Sequence, residues 1–320
     1  MSAVSYQPVE KQAEKEIPLQ EASMDIWQQK YCLQDSDGNA VDASIDHSFK
    51  RVAQALADVE TDAGKKVEWY EQFLWALRHG AIPAGRILSN AGAQAYKADT
   101  STINCTVSGT VNDTMAGILE KNYEAGLTLK SGCGIGYEFS TLRPRGAYVS
   151  GAGAKTSGPL SFMDIFDRTC FTVSSAGGRR GAQMATFDVS HPDVLEFVKA
   201  KREDGRLRQF NLSLLISEEF IDAVVKDQDW PLMFPIKANS PDASKLDLKD
   251  KSQVVWREWP ANDGYIVNDK GLVACKIYGH EKATKIWHAI MTSTYDFAEP
   301  GFILIDKVNQ MNNNWFCEDI

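Results

Sequence analysis

Between Lys130 and Met184 the chain places three glycine-dense segments that carry the residue types best suited to chemistry. They read Lys-Ser-Gly-Cys-Gly-Ile-Gly from Lys130, Gly-Ala-Gly-Ala-Lys-Thr-Ser-Gly-Pro from Gly151, and Ser-Ser-Ala-Gly-Gly-Arg-Arg-Gly-Ala-Gln-Met from Ser174. Glycine lets backbone N–H groups approach an anion and tolerates positive φ. Arg143, Arg145, Lys155, Arg179 and Arg180 set cations beside those glycines. Glycine with a neighbouring cation, repeated, is the chemistry of phosphate binding. A single Gly-x-Gly reads as a surface turn; the repetition favours a nucleotide-phosphate surface.

Other candidates surround that stretch. Cys105, in Thr102-Ile-Asn-Cys-Thr-Val, reads by itself as a buried structural thiol. Its place one strand and one helix before the glycines favours a site role, but a reactive cysteine needs access and a partner, and nothing local supplies one. Cys133, between Gly132 and Gly134, fits a tight turn better than a ligand contact, and Cys170 reads as helix core. Asp113 has two readings. As a helix N-cap it contributes about 0.5–2 kcal/mol; as a site residue it accepts a ribose hydroxyl. Ile82-Pro-Ala-Gly-Arg86 and Ser89-Asn-Ala-Gly92 are loop chemistry, equally suited to ligand hydroxyls and to a plain connection. The 5 histidines form no metal-binding pair, and the 6 cysteines contain no C-x-x-C, so no metal site is expected.

The elements that position these residues follow from periodicity. Residues 1–23 read as a disordered tail. Helices are expected over Met24–Tyr31, Ile45–Val59 and Val67–His79, the last with Trp69, Phe73, Leu74 and Leu77 on one side. Asp35-Ser-Asp-Gly-Asn39 is a turn with Gly38 at positive φ. From about residue 96 strands and helices alternate. Strands are expected at Thr102–Val107, Ile135–Phe139, Met184–Val189, Phe210–Ile216 and Gly301–Ile305. Helices are expected at Asp113–Lys130 (capped by Asn112 or Asp113), Pro159–Val173, His191–Lys201, Glu218–Lys226 behind a Ser217 cap, and Glu281–Met291. The unbroken apolar run of Phe210–Ile216 predicts a strand buried on both faces. Residues 24–95 thus form a helical region, and 96–320 an α/β region with a mostly parallel sheet or barrel.

Composition bounds the class. The 320 residues are 43% hydrophobic and 24% charged, as in soluble globular chains. No apolar run approaches the ~18 residues of a membrane span. Met1–Glu16 has no apolar core, so it does not read as a signal peptide, and a reducing cytoplasmic home is expected. A net charge of −9 argues against a nucleic-acid surface but leaves room for small phosphorylated ligands.

Taken together, Ser89-Asn-Ala-Gly92, Ile103-Asn-Cys-Thr-Val-Ser108, Gly132-Cys-Gly-Ile-Gly136, Leu142-Arg-Pro-Arg-Gly146, Ser157-Gly-Pro-Leu-Ser-Phe162, Ser175-Ala-Gly-Gly-Arg-Arg-Gly181, Asp296-Phe-Ala-Glu-Pro-Gly-Phe302 and Met311-Asn-Asn-Asn-Trp-Phe-Cys317 resemble the catalytic subunit of ribonucleotide reductases. The wording is nearest to the adenosylcobalamin-dependent class, class II; the runner-up is the class I large subunit driven by a separate metal-radical protein. The resemblance implies a helical N-terminal region followed by the first part of a ten-stranded α/β barrel. It implies thiyl-radical conversion of ribonucleotides to 2′-deoxyribonucleotides, with a cysteine pair supplying the electrons. Cys105 matches one member of that pair. Ser89, Asn90, Ala91, Gly92, Asn104, Gly132, Cys133 and Gly134 match substrate-holding positions. Asp113 and Thr114 match the effector-binding helix start, where a deoxynucleoside triphosphate or ATP is expected. Arg145 to Ala154 matches the first specificity loop, and Lys155 beside it is expected to bind the effector. Gly177 to Met184, with Gly178, Arg179, Arg180 and Gln183, matches the second.

In relatives the radical cysteine lies in an Asn-Pro-Cys-Gly-Glu segment that follows the position of Ile320. The resemblance therefore leads to the expectation of an incomplete barrel, inactive alone, that needs a C-terminal reductase chain and forms a homo-oligomer. A non-catalytic nucleotide-binding regulatory role is the alternative of a different kind.

Overall fold

The computed structural model describes residues 18–98, 101–149, 151–175, 181–202, 206–261, 264–317 and 320, with the side chains of 174 and 175 left aside. Gly177, Gly178, Arg179 and Arg180, and most of the expected N-terminal tail, lie outside the described residues. Contacts divide the chain into two compact units, residues 1–104 and 105–320.

The first unit is helical: α1 (Glu21–Ile26) running into a π turn (Trp27–Tyr31), α2 (Ile45–Ala57), α3 (Ala63–Arg78) and α4 (Gly85–Asn90). Caps set the starts. Ser44 Oγ accepts from the His47 N–H, and the Asp62 carboxylate accepts from the Lys65 N–H, which starts α3 four residues before the apolar pattern does. Val52, Ala53, Leu74, Leu77 and Ala91 form the core. Trp69 stays 36% exposed, so the apolar side of α3 is narrower than its sequence implies. Gly85, Arg86, Ser89 and Asn90, read as parts of two loops, fall in α4.

The second unit is built on a five-stranded parallel sheet in the order β1-β2-β5-β6-β10. The strands are β1 (Cys105–Thr110), β2 (Gly134–Glu138), the short pair β3 (Tyr148–Val149) and β4 (Ala154–Lys155), β5 (Gln183–Asp188), β6 (Phe210–Ile216), β7 (Asp229–Pro235), β8 (Val254–Arg257), β9 (Val273–Lys282) and β10 (Gly301–Leu304). The helices are α5 (Met115–Lys130), α6 (Pro159–Ser175), α7 (Val194–Lys199), α8 (Glu218–Val225), α9 (Ala283–Phe297) and α10 (Ile305–Gln310). The unit is mixed α/β, as expected, but β7, β9 and β8 add an antiparallel sheet that the sequence reading did not foresee.

One face of the parallel sheet carries the core. Ile135, Tyr137, Phe139, Ala185, Phe187, Phe210, Leu212, Leu214 and Ile216 are buried with Ile118 of α5, Phe166 of α6, Phe197 of α7 and Ile286 of α9. Phe187 stacks on Phe197 at 4.5 Å, and Phe139 meets Phe166 edge-on at 5.3 Å. The expectation that β6 is buried on both faces is corrected: its burial alternates, with Asn211 exposed and Ser213 and Leu215 half-buried. Helices cover one side, and the other side is half-buried and partly polar. Among the described residues no helix is long and apolar enough to cross a membrane.

Candidate functional site

In the first unit the Ser89–Gly92 segment ends α4 and is tied down from below. The Asn90 amide is buried and donates to the Ser101 carbonyl at 2.7 Å, and Ser89 Oγ donates to Asn90 Oδ1 at 3.1 Å. Arg51 donates to the carbonyls of Ala91 at 2.5 Å and Leu88 at 3.1 Å. Arg51 is itself held by buried Asp42, at 2.7 Å, and Asp42 also accepts from Ser48 Oγ at 2.6 Å. Gly92 has φ +72°, and a Cβ there would stand 2.9 Å from Arg51 Cγ. Asn104 Oδ1 accepts from the Arg86 N–H at 3.3 Å, joining the segment before residue 105 to α4.

In the second unit Cys105 opens β1 at the sheet edge, exposed, in register with Gly134. The reading of Cys105 as a buried thiol is thereby corrected: β1 starts three residues later than expected, which puts Cys105 at the strand mouth. Cys133 is buried, its thiol donating to the Gly134 carbonyl at 3.3 Å. Gly132 takes φ +80° where α5 ends, the backbone that a helix C-terminus favours in glycine. No disulfide joins any of the cysteines.

Along the polar face, register aligns Glu138 with Thr186 and Thr186 with Ser213. Thr186 Oγ1 donates to Glu138 Oε2, and the Ser140 N–H donates to Oε1 at 2.9 Å. Burial pushes the Glu138 carboxyl above the usual carboxylate range. Asp188 behaves oppositely: burial works against its charge, but Arg257 at 2.9 Å holds its carboxyl below the usual range. Gly134 to Glu138 spans about 13 Å of strand, so Cys105 and Glu138 mark opposite ends of the sheet. The sequence reading missed Glu138 and Asp188. Their signal was alternation, each standing out of phase with a buried aromatic, Tyr137 or Phe187.

Past the end of β1 the chain enters a cavity of about 280 Å³ lined by Asp113, Thr114, Arg143, Tyr148, Lys237, Asp242, Lys276 and Tyr278 among others. Thr114, not Asp113 or Asn112, caps α5: its Oγ1 accepts from the Gly117 N–H at 3.0 Å. Asp113 is corrected from cap to counter-ion. Its carboxylate, buried, accepts from Arg143 Nε at 2.8 Å and from the Arg143 N–H at 3.2 Å, with Lys237 Nζ at 3.3 Å. Arg143 also donates to the carbonyls of Tyr148 and Asp113, each at 3.0 Å. Burial foremost, with the Asp242 charge, pushes the Tyr278 hydroxyl up to about 12. The cavity thus presents cations and hydroxyl groups to an anion.

The other expected effector residues stand elsewhere. Arg145 pairs with Glu196 at 2.6 Å, and its N–H donates to Asp193 at 2.8 Å. Lys155 is exposed on β4, in register with Tyr148 of the cavity wall. Gln183 is buried, accepting from Tyr137 Oη at 3.0 Å and donating to the Phe166 carbonyl at 3.0 Å. Lys237, Lys276 and Tyr278 were not foreseen. Lys276, Tyr278, His280 and Lys282 recur at period two, the strand signal that would have found β9.

A family model described as the ribonucleotide reductase barrel domain matches residues 103–320, and one described as the ribonucleotide reductase all-alpha domain matches residues 18–95. A vitamin B12-dependent ribonucleoside-diphosphate reductase of Mycobacterium tuberculosis is 28% identical over 302 residues, covering 93% of this chain and 37% of its own. A protein of the same name from Thermoplasma acidophilum is 30% identical over 274 residues, covering 85% of this chain and 30% of its own. The ribonucleoside-diphosphate reductase subunit alpha of Helicobacter pylori is 26% identical over 290 residues, covering 89% of this chain and 34% of its own. The chain spans about a third of the length of the curated relatives it matches.

Proposed function

The chain belongs to the ribonucleotide reductase family, and from that premise we propose that it contributes the effector cavity and one redox thiol to an enzyme that converts ribonucleotides to 2′-deoxyribonucleotides. What carries the reading is the exposed thiol of Cys105 at one end of β1 with the cation-lined cavity of Asp113 beyond the other. In the proposed reaction a thiyl radical takes the ribose 3′-hydrogen and the 2′-hydroxyl leaves as water. Two thiols, Cys105 and a second cysteine, become a disulfide and supply both electrons. A thiol in that role must reach substrate and external reductant, and an exposed strand mouth allows both.

The parallel sheet of this chain is proposed as part of the ten-stranded barrel, completed by a C-terminal reductase segment that carries the radical cysteine. Ser89, Asn90, Ala91, Gly92, Asn104 and Gly132 to Gly134 are proposed to hold the substrate. Asp113, Thr114 and Arg143, with Arg145, Lys155, Gly178, Arg179, Arg180 and Gln183 in the specificity loops, are proposed to hold or sense a deoxynucleoside triphosphate or ATP. α5 exposes Met115, Leu119, Tyr123 and Leu127 at four-residue spacing, an apolar stripe suited to a second copy in a homo-oligomer. A cytoplasmic location goes with a reaction that needs thiols kept reduced.

Adenosylcobalamin is the proposed radical source, on the printed names of two relatives. The cavity described above does not fit a corrin. The cavity of about 280 Å³ is too small for a corrin, and buried His191 has both ring nitrogens bonded, to the Leu142 carbonyl and the Asp193 N–H.

The test is deoxyribonucleotide formation by an enzyme containing this chain, assayed with a dithiol and either adenosylcobalamin or a metal-radical protein. Cobalamin-dependent product is expected. Product only with the radical protein would move the chain to class I, and no product with either would leave the regulatory reading.

A further inference from the structure

The cavity holds two carboxylates in different circumstances. Asp113 is clamped: its side chain is 6% exposed and it is held by Arg143 and Lys237. Asp242 is loosely held. Its side chain is 39% exposed, it lies between β7 and β8, and among the described residues Lys276, at 2.9 Å, is the side chain bonded to it. Lys276 Nζ also lies 5.0 Å from the centre of the Tyr278 ring, so the ammonium is fixed at the cavity wall from two sides.

The lining carries three cations, Arg143, Lys237 and Lys276, against the carboxylates of Asp113 and Asp242. A polyphosphate entering about 280 Å³ meets Asp242 as a like charge at close range. Asp113 cannot move without stranding two partly buried cations, a costly rearrangement. The Asp242–Lys276 pair, a single contact between side chains 39% and 29% exposed, is weaker than the more buried, doubly paired Asp113. The acid that yields is therefore Asp242.

We propose that Asp242 is the resident counter-ion of a phosphate subsite, displaced from Lys276 when the polyphosphate of a nucleoside triphosphate binds. The proposal rests on the nucleotide reading of this cavity and adds to it a built-in competitor that sets the affinity. Lys276 is the phosphate ligand exchanged, and the Asp242 side chain gives way to the phosphate. Asp242 lies in residues 239–251, a polar stretch rich in Asp and Lys.

The experiment is isothermal titration of the 320-residue chain, at fixed ionic strength, with inorganic tripolyphosphate and with ATP. Asp242→Asn is expected to bind both about three- to tenfold more tightly than the unsubstituted chain, by removal of a competing charge. Asp242→Glu, which keeps the charge, is expected to stay within about twofold. Lys276→Gln is expected to weaken binding, and in that background Asp242→Asn is expected to gain less than about twofold, because the pair is already broken. Unfolding temperatures of all variants establish that they are folded. Unchanged affinity in Asp242→Asn, or an equal gain with and without Lys276, overturns the counter-ion role while leaving the nucleotide cavity standing. Absence of binding by the unsubstituted chain and by Asp242→Asn overturns the nucleotide reading itself and the counter-ion with it.

Discussion

Replacing Asp113 by Asn keeps its shape and removes its charge. In the folded chain that carboxylate faces Arg143 Nε at 2.8 Å and Lys237 Nζ at 3.3 Å, with the three side chains 6%, 22% and 21% exposed. Removing one partner of a fully buried ion pair costs about 3–5 kcal/mol, because the other charge is stranded. Here the cations are about a fifth exposed, and Arg143 keeps its bonds to the Tyr148 and Asp113 carbonyls, so about 2–3 kcal/mol is expected. For a domain of roughly 150–250 residues that lowers the unfolding temperature by about 4–12 °C. Thermal unfolding followed by circular dichroism reads this. The cycle with Arg143→Ala should give a coupling of about 1–2 kcal/mol, since each substitution removes the same contact. A melting temperature unchanged within about 1 °C, or strictly additive single effects, would refute the role of Asp113 as the counter-ion that holds the cavity wall.

Further outcomes follow from other sites. Gly92→Ala forces a side chain onto a φ of +72° and within 2.9 Å of Arg51 Cγ. It should cost about 1–3 kcal/mol in urea unfolding, clearly more than Gly38→Ala, whose added methyl meets open space; equal costs would contradict the packing. Burial holds the His191 imidazole below its usual pKa. A depressed pKa contributes stability that is present above the unfolded value near 6.5 and lost as pH falls below it. The chain should therefore lose stability from pH 7 to 5 with a slope that His191→Asn reduces, and an identical slope in the variant would show that His191 does not titrate on unfolding. Arg180→Ala, in an active enzyme, should change which ribonucleotide is preferred with a given effector; unchanged preference with every effector would make that loop structural only.

Much of the parallel sheet was legible because local chemistry and tertiary structure agree there. β6 runs from Phe210 to Ile216, and Ser217 caps the helix that follows, as read. β7 was not legible: Asp229-Trp-Pro-Leu-Met-Phe-Pro235 holds two prolines, which argue against a strand. It exists because β7 is an edge strand, pairing on one side only, so a residue without an N–H is tolerated. α4 was hidden by turn-forming residues, and Asn90 sits at its end because its amide reaches the Ser101 carbonyl. At the cavity the residue types were readable and the pairing was not. Asp113 gives up the capping role to Thr114 because its cation partners, Arg143 and Lys237, lie 30 and 124 positions away, beyond any local pattern.

The role of Cys105 is decided by counting turnovers. In an enzyme containing this chain and the radical-bearing segment, Cys105→Ser should abolish multiple turnover with a dithiol reductant, because a serine cannot take part in the disulfide that supplies the electrons. The measurement is deoxyribonucleotide formed per active site over time, compared with the unsubstituted enzyme. Loss of repeated product formation is the predicted result. Near-normal repeated turnover in Cys105→Ser would remove the exposed thiol of β1 from the reaction and contradict the proposed function of this chain.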